Sequence, residues 1–204
     1  MQAVSYSQND EEQEILSYLD GRPSRSMMLL DIGAYDGEAK SNTLALIERG
    51  WSGVLVEPNP FVFLRLLNLH GLRANLDLVH ALIGVERETL KFWTTHDAVS
   101  TTDPAHFEHW NKHVPYEPPF YMPQLSVIEL MKLFPRLAEV DMISLDIEAT
   151  NFSVFKELLK YTCPRVFCVE KDSPTLRKEM SHIADCYGYS LLYESGENMV
   201  FTHD

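Results

Sequence analysis

The chain has 204 residues, of which 45% are hydrophobic and 11% are aromatic, enough to fill the core of one domain spanning residues 1–204. Its 30 acidic and 17 basic side chains give a formal net charge of -13. A surface this negative repels phosphate backbones and anionic lipid. We therefore expect neither a nucleic acid nor a membrane as a partner.

The cysteines favour a reducing compartment. Cys163, Cys168 and Cys186 form neither a CxxC pair nor a dense disulfide pattern, so we expect a cytoplasmic protein. The N-terminus is polar and acidic through Glu14, unlike a secretory signal peptide. No apolar run approaches the roughly 18 residues of a membrane span.

Hydrophobic periodicity and turn residues predict alternating helices and strands. The first half is predicted to contain a helix over 7–20 within an N-terminal segment 1–22, a strand over 27–32, a helix over 38–49, a strand over 54–56, a helix from Pro60 to Gly71, and strands over 76–83 and 89–94. The second half is predicted to contain an aperiodic insertion over 95–124, a helix over 126–134 with a capping box, a strand over 140–147, a helix around 152–159, a strand over 166–169, a helix from Ser173, and a hairpin of 189–193 and 199–202.

This alternation predicts an α/β fold. Buried strands separated by amphipathic helices favour a mostly parallel sheet with helices on both faces. The C-terminal hairpin adds an antiparallel edge. The apolar stripe of Phe61, Phe63, Leu64 and Leu67 is interpreted as part of the core.

Two strand ends carry the residues expected at a nucleoside site. The first predicted strand runs into a glycine turn from Asp31 to Gly37 (DIGAYDG), where the backbone can bend tightly and approach a ligand. The second is followed by Glu57, some twenty residues beyond the turn, where a carboxylate can accept hydrogen bonds from a ribose diol. Ligands of open α/β sheets bind at these carboxyl ends.

The residues of the turn favour S-adenosylmethionine (SAM) over a dinucleotide. A dinucleotide turn needs a second glycine where this chain has Tyr35. The carboxylates of Asp31 and Asp36 suit the sulfonium and ammonium groups of SAM better than a pyrophosphate.

Three stretches resemble the FkbM family of SAM-dependent methyltransferases. They are Leu30 to Gly37 (LDIGAYDG), Gly50 to Pro60 (GWSGVLVEPNP) and Ile143 to Glu148 (ISLDIE). The resemblance spans Met27 to Asp172, and more weakly extends to Phe201. It implies a Rossmann-like class I methyltransferase fold with a seven-stranded sheet, and methyl transfer to a hydroxyl of a sugar, glycan or natural product.

The resemblance also implies which residues bind the cofactor. Asp31, Gly33, Ala34, Tyr35 and Gly37 would line the methionine end. The remaining cofactor residues would be Glu57 with Pro58 at the ribose, Asn59 near the ribose and adenine, and His80, Ala81 and Leu82 beside the adenine. Ala149 and Asn151 stand where the family has a glycine and a second glutamate.

Asp146 and Glu148 are the candidate catalytic carboxylates. Two apart on a strand, they project to one side about 6–7 Å apart. Their mutual repulsion disfavours double ionisation, which suits one of them as general base for a hydroxyl proton. The residues leave open which of the two is the base.

The insertion over 95–124 is interpreted as a lid that selects the acceptor substrate. His106 and His109, with His113, would share one face of a helix, and a histidine of this segment is an alternative catalytic base. A metal site is the weaker interpretation, because no motif such as HExxH accompanies these histidines. We predict no metal.

Two other functions remain as alternatives. A SAM- or nucleoside-binding protein without catalysis is suggested by Ala149 and Asn151. A nicotinamide-dependent oxidoreductase is disfavoured by Tyr35.

Overall fold

The computed structural model describes residues 5–22, 26–147, 150–171 and 173–203. The helices are α1 (Glu11–Leu19), α2 (Leu44–Glu48), α3 (Pro60–His70), α4 (Pro104–Trp110), α5 (Val127–Leu133), α6 (Asn151–Leu158) and α7 (Pro174–Cys186). The strands are β1 (Met28–Ile32), β2 (Ser52–Val56), β3 (Leu76–Val79), β4 (Leu82–Gly84), β5 (Glu88–Phe92), β6 (Phe120–Ser126), β7 (Met142–Leu145), β8 (Val166–Glu170), β9 (Ser190–Glu194) and β10 (Asn198–Thr202).

A seven-stranded sheet forms the centre of the fold, in the order β3-β2-β1-β7-β8-β10-β9. Strands β3, β2, β1, β7 and β8 are parallel, and β10 lies antiparallel between β8 and β9. The predicted Rossmann-like fold with an antiparallel C-terminal hairpin is therefore confirmed. The strand order reverses between β1 and β7, which is where such sheets open a ligand crevice.

The central strands are buried on both faces, as a covered parallel sheet requires. Alternate residues of β1 enter opposite cores: Leu30 packs with Val54 on one side, and Leu29 packs with Leu55 on the other. Helix α6 covers the first side through Phe155. This alternation fixes the register of β1, because a shift by one residue would exchange the two faces.

A second, three-stranded sheet has the order β4-β6-β5. The prediction of a single strand over 76–83 was therefore wrong. Strand β3 ends at Val79 in the large sheet, and β4 begins at Leu82 in the small one. The small sheet also orders the end of the insertion, where β6 pairs in parallel with β4 and antiparallel with β5.

The predicted starts of three helices are confirmed. Ser126 and Glu129 form the predicted capping box, and the Ser173 hydroxyl accepts from the Leu176 N–H at the start of α7. Pro60 occupies the first turn of α3, as predicted.

Two helical predictions need correction. Residues 38–43 are not helical, and α2 begins only at Leu44; Lys40 has a φ of 60° and interrupts the run. The buried face of α3 consists of Val62, Leu66 and His70. Leu64 and Leu67 are instead 57% and 44% exposed, because they lie on the opposite side of the helix.

Among the described residues, every helix is too short or too polar to cross a bilayer.

Candidate active site

A cavity of about 480 Å³ opens at the carboxyl ends of the parallel strands. Its wall includes Gly33 after β1, Glu57 after β2, Asp146 after β7 and Glu170 at the end of β8. The cavity therefore lies at the reversal of strand order, where the sequence predicted a ligand. Its volume is in the range of small-molecule sites.

The glycine turn after β1 packs closely against the ends of β2 and β7. Gly33 has a φ of 86° and donates its N–H to the Val56 carbonyl at 2.9 Å. A Cβ on Gly33 would lie 1.7 Å from the carbonyl oxygen of Asp146. Only glycine fits, because any side chain would push β1 and β7 apart at the crevice.

Gly37, at the end of the turn, packs against α3. Its carbonyl lies 3.1 Å from Nε2 of the buried His70, and a Cβ there would lie 2.6 Å from His70 and Leu66. The residue packs the turn against α3 and is not among those that line the cavity.

Glu57 is buried at the wall of the cavity, with 7% of the residue exposed. One carboxylate oxygen accepts from the N–H of Asn59 at 2.7 Å, and the other accepts from the N–H of Tyr35 at 3.1 Å. Burial raises the pKa of Glu57 to about 8, although both backbone hydrogen bonds act against that rise. The nearby charges of Asp146 and Asp31 raise the pKa further.

Asp31 is a second buried carboxylate, 5% exposed. The Thr43 hydroxyl donates to it at 2.6 Å. Burial raises the pKa of Asp31 to about 6, and the charge of Asp146 adds to the rise, whereas the hydrogen bonds from Thr43 and Ser144 oppose it. Two carboxylates with raised pKa on one cavity favour a cationic ligand.

The side chains of Tyr35 and Asn59 hold a loop over the cavity. The Tyr35 hydroxyl donates to the Asp97 carboxylate at 2.9 Å. The Asn59 amide donates at 2.8 Å to both the Thr95 carbonyl and the Ser100 hydroxyl. Residues 97–102 consequently form one wall of the cavity, so this loop is a part of the predicted insertion that faces the site.

Of the three residues predicted beside the adenine, Ala81 and Leu82 line the cavity and His80 does not. The His80 imidazole instead lies 2.9 Å from the Pro58 carbonyl and stacks on Phe63 with ring centroids 4.9 Å apart. Ala34 and Pro58, predicted at the cofactor, also line the cavity.

The structure describes three of the four candidate catalytic residues, and one of these three lines the cavity. Asp146 follows the last residue of β7 and lines the cavity, whereas Glu148 lies outside the described residues. His106 and His109 lie on α4 but are absent from the cavity wall, to which the same helix contributes Trp110. Within the described part of the chain, no group of three or more histidine, cysteine or acidic side chains could hold a metal.

Sequence reasoning missed Lys40 and Asn42, which also line the cavity. Both fall in the segment that was predicted to be helical. The run of polar residues directly after the glycine turn could have indicated that this segment lines the ligand site.

The residues of the cavity fit SAM. The carboxylates of Asp31, Glu57 and Asp146 line the cavity and can face its cationic groups. Lys40 is the one cationic side chain among the described residues of the wall, which suits the single carboxylate of the cofactor.

The fold and the cavity are those expected of a SAM-dependent methyltransferase. The sequence profile of the methyltransferase FkbM domain matches residues 31–185, so the chain belongs to that family and uses SAM as its methyl donor. Comparison with curated protein sequences gives no match.

Solved structures support the fold. A precorrin-6y C5,15-methyltransferase from Geobacter metallireducens is 11% identical, with a TM-score of 0.53 over 99% of this chain and 92% of the other. The 16S rRNA N2 G1207 methyltransferase RsmC of T. thermophilus, solved with AdoMet and guanosine, is 13% identical, with a TM-score of 0.50 over 95% of this chain and 42% of the other. At such identities the likeness extends to the fold alone.

Replacing Gly33 should disrupt the site more than replacing a glycine of similar conformation. Gly50 has a φ of 88° but open space around its Cβ position. Gly50→Ala should cost about 1–2 kcal/mol of unfolding free energy from backbone strain. Gly33→Ala should cost at least about 2 kcal/mol more, because the new Cβ meets the Asp146 carbonyl. Urea denaturation measures both, and equal losses would contradict the close contact.

The buried Glu57 should make the unliganded protein less stable as the pH rises. Its pKa is raised in the folded state, so its contribution is complete below the ordinary value of 4.5 and is lost as the pH rises through about 8. The unfolding free energy of the wild type should therefore fall relative to Glu57→Gln across that range. The exposed Glu88→Gln variant should follow the wild type, and a wild-type unfolding free energy that stays constant or rises relative to Glu57→Gln would refute the assignment.

Proposed function

We propose that the chain methylates a hydroxyl oxygen of a sugar, glycan or natural-product small molecule. The observation that carries the proposal is the Glu57 carboxylate, fixed by two backbone N–H groups at the wall of an acidic cavity. Membership of the FkbM family supports the methyl transfer. The net charge of -13 supports a small acceptor over a nucleic acid.

The cofactor-binding residues divide between the strand ends. Glu57 would accept hydrogen bonds from the ribose hydroxyls, and Ala81 and Leu82 would provide an apolar surface for the adenine. Gly33 and Ala34 would leave room for the methionine end, and Lys40 would pair with its carboxylate. Tyr35, expected at the methionine end, and Asn59, expected near the ribose and adenine, would act through the loop that they hold.

Asp146 is our proposed general base. SAM, when bound, supplies an electrophilic methyl group and leaves as a neutral thioether. As the acceptor oxygen forms its bond to the methyl carbon, its proton passes to the Asp146 carboxylate, which lies on the cavity wall after β7. The chain otherwise contributes alignment and exclusion of water. Glu148 stays an alternative base, as the sequence predicted.

His106 and His109 are the weaker candidates for the base. Both belong to α4, whose contribution to the cavity wall is Trp110. An aromatic side chain there would pack against the apolar face of a sugar ring.

Removing the Glu57 carboxylate should weaken cofactor binding. Calorimetry should detect binding of SAM and of S-adenosylhomocysteine (SAH) to the wild type, and an affinity lower by about tenfold or more in Glu57→Gln, because a hydrogen bond to a charged group contributes about 1.5–3 kcal/mol. Glu88→Gln is the matched control and should bind like the wild type. Tight binding of NAD without binding of SAM would refute the proposal and favour the oxidoreductase.

Removing the Asp146 carboxylate should lower the rate of methyl transfer and leave the cofactor affinity almost unchanged. With labelled SAM and a panel of neutral glycosides, hydroxylated metabolites and an RNA fragment, label should enter a hydroxylated small molecule. Asp146→Asn should lower that rate by about 100-fold or more, as expected for loss of a general base, and should leave SAH affinity within about twofold.

The control for this experiment is Asp185→Asn, an exposed residue of α7 that does not line the cavity. A wild-type rate in Asp146→Asn would remove the base assignment. Label entering only the RNA would overturn the acceptor class, and binding of SAM with no transfer to any acceptor would favour the non-catalytic alternative.

A further inference from the structure

Asn42 lines the cavity and belongs to a segment that is held by hydrogen bonds on both sides. The Ser41 hydroxyl accepts from the N–H groups of Thr43 at 3.2 Å and Leu44 at 3.0 Å. The Thr43 hydroxyl donates to Asp31 at 2.6 Å. Ser41 and Thr43 are buried in the protein, whereas Asn42 between them lines the cavity.

Hydrogen bonds fix the orientation of the Asn42 amide. Ser144 forms a hydrogen bond with the Asp31 carboxylate that lowers the pKa of Asp31, so the hydroxyl proton of Ser144 is directed to Asp31. The oxygen of that hydroxyl can then accept from Nδ2 of Asn42, which lies 3.5 Å away. This chain from Asn42 through Ser144 to Asp31 leaves the amide oxygen as the group that is free to bind a donor.

The amide oxygen of Asn42 is shielded from solvent and has no hydrogen-bond partner among the described residues. A buried polar atom without a partner is costly and marks a place where a ligand can supply the missing contact. The group that satisfies it must be a hydrogen-bond donor. The nearby carboxylate of Asp31 favours a donor that is also positively charged.

The location of Asn42 indicates which part of the cofactor it meets. Its partner Ser144 lies on β7, and Glu57 follows β2, with β1 between these strands. Neighbouring strands are about 4.8 Å apart, so the two groups are separated by about 10 Å across the crevice. With the ribose at Glu57, the amino-acid portion of the cofactor extends towards β7.

We propose that Asn42 is a cofactor-binding residue whose amide oxygen accepts a hydrogen bond from the α-ammonium group of SAM and SAH. This inference rests on the proposed binding of SAM in the same cavity. It assigns to Asn42 the recognition of the amino-acid portion, separately from the ribose at Glu57.

The test compares SAH with 5′-methylthioadenosine, which has the same nucleoside and thioether but lacks the amino-acid portion. Calorimetry on the full chain should give an affinity for SAH that is about tenfold lower in Asn42→Ala, and an affinity for methylthioadenosine within about twofold of the wild type. Asn42→Asp keeps an acceptor oxygen and should retain SAH affinity within about threefold. Asn68→Ala, on the exposed face of α3, is the control and should change neither ligand.

Three outcomes would overturn the inference. Unchanged SAH affinity in Asn42→Ala would exclude the contact with the ammonium group. An equal loss for methylthioadenosine would mean that Asn42 supports the shape of the cavity instead. Failure of the wild-type chain to bind SAH would remove the proposed cofactor site itself, which distinguishes that failure from a failure of the Asn42 assignment alone.

Discussion

The carboxylate of Glu57 connects the separate parts of the cavity. It accepts hydrogen bonds from the N–H of Tyr35, in the turn after β1, and from the N–H of Asn59, at the start of α3. The side chains of these two residues in turn hold the loop that carries Asp97 and Ser100. The glycine turn, the Glu57 carboxylate and the loop over the cavity are therefore connected as one unit, and a change in any of them affects the others.

Electrostatics explain why this unit suits a sulfonium cofactor. Asp31 and Glu57 are nearly inaccessible to water, and burial raises the pKa of each because the charged form loses its hydration. A cationic ligand lowers the cost of ionising both groups, whereas a pyrophosphate would increase it. The charge of the cavity thus favours a cationic cofactor over a pyrophosphate.

The features that could be predicted from the sequence are those that depend on neighbouring residues. The buried runs of β1, β2, β7 and β8, the glycine turn and the acid at Glu57 follow from residue order alone. Contacts between distant segments were not predictable: the hydrogen bonds from the Asn59 amide to Thr95 and Ser100 join residues 36 and 41 positions apart. Asn42 was hidden in an expected helix, which the left-handed Lys40 prevents. The division of residues 76–83 between two sheets depends on β6, more than thirty residues later in the chain.

A crystal structure of the chain with SAH bound tests the central claim most directly. The account predicts that the ligand lies in the crevice at the ends of β1, β2 and β7, with its ribose hydroxyls at hydrogen-bond distance from the Glu57 carboxylate. Density for SAH at another surface would contradict the account. So would a ribose in the crevice that does not contact Glu57, because the carboxylate would then have no part in recognising the nucleoside.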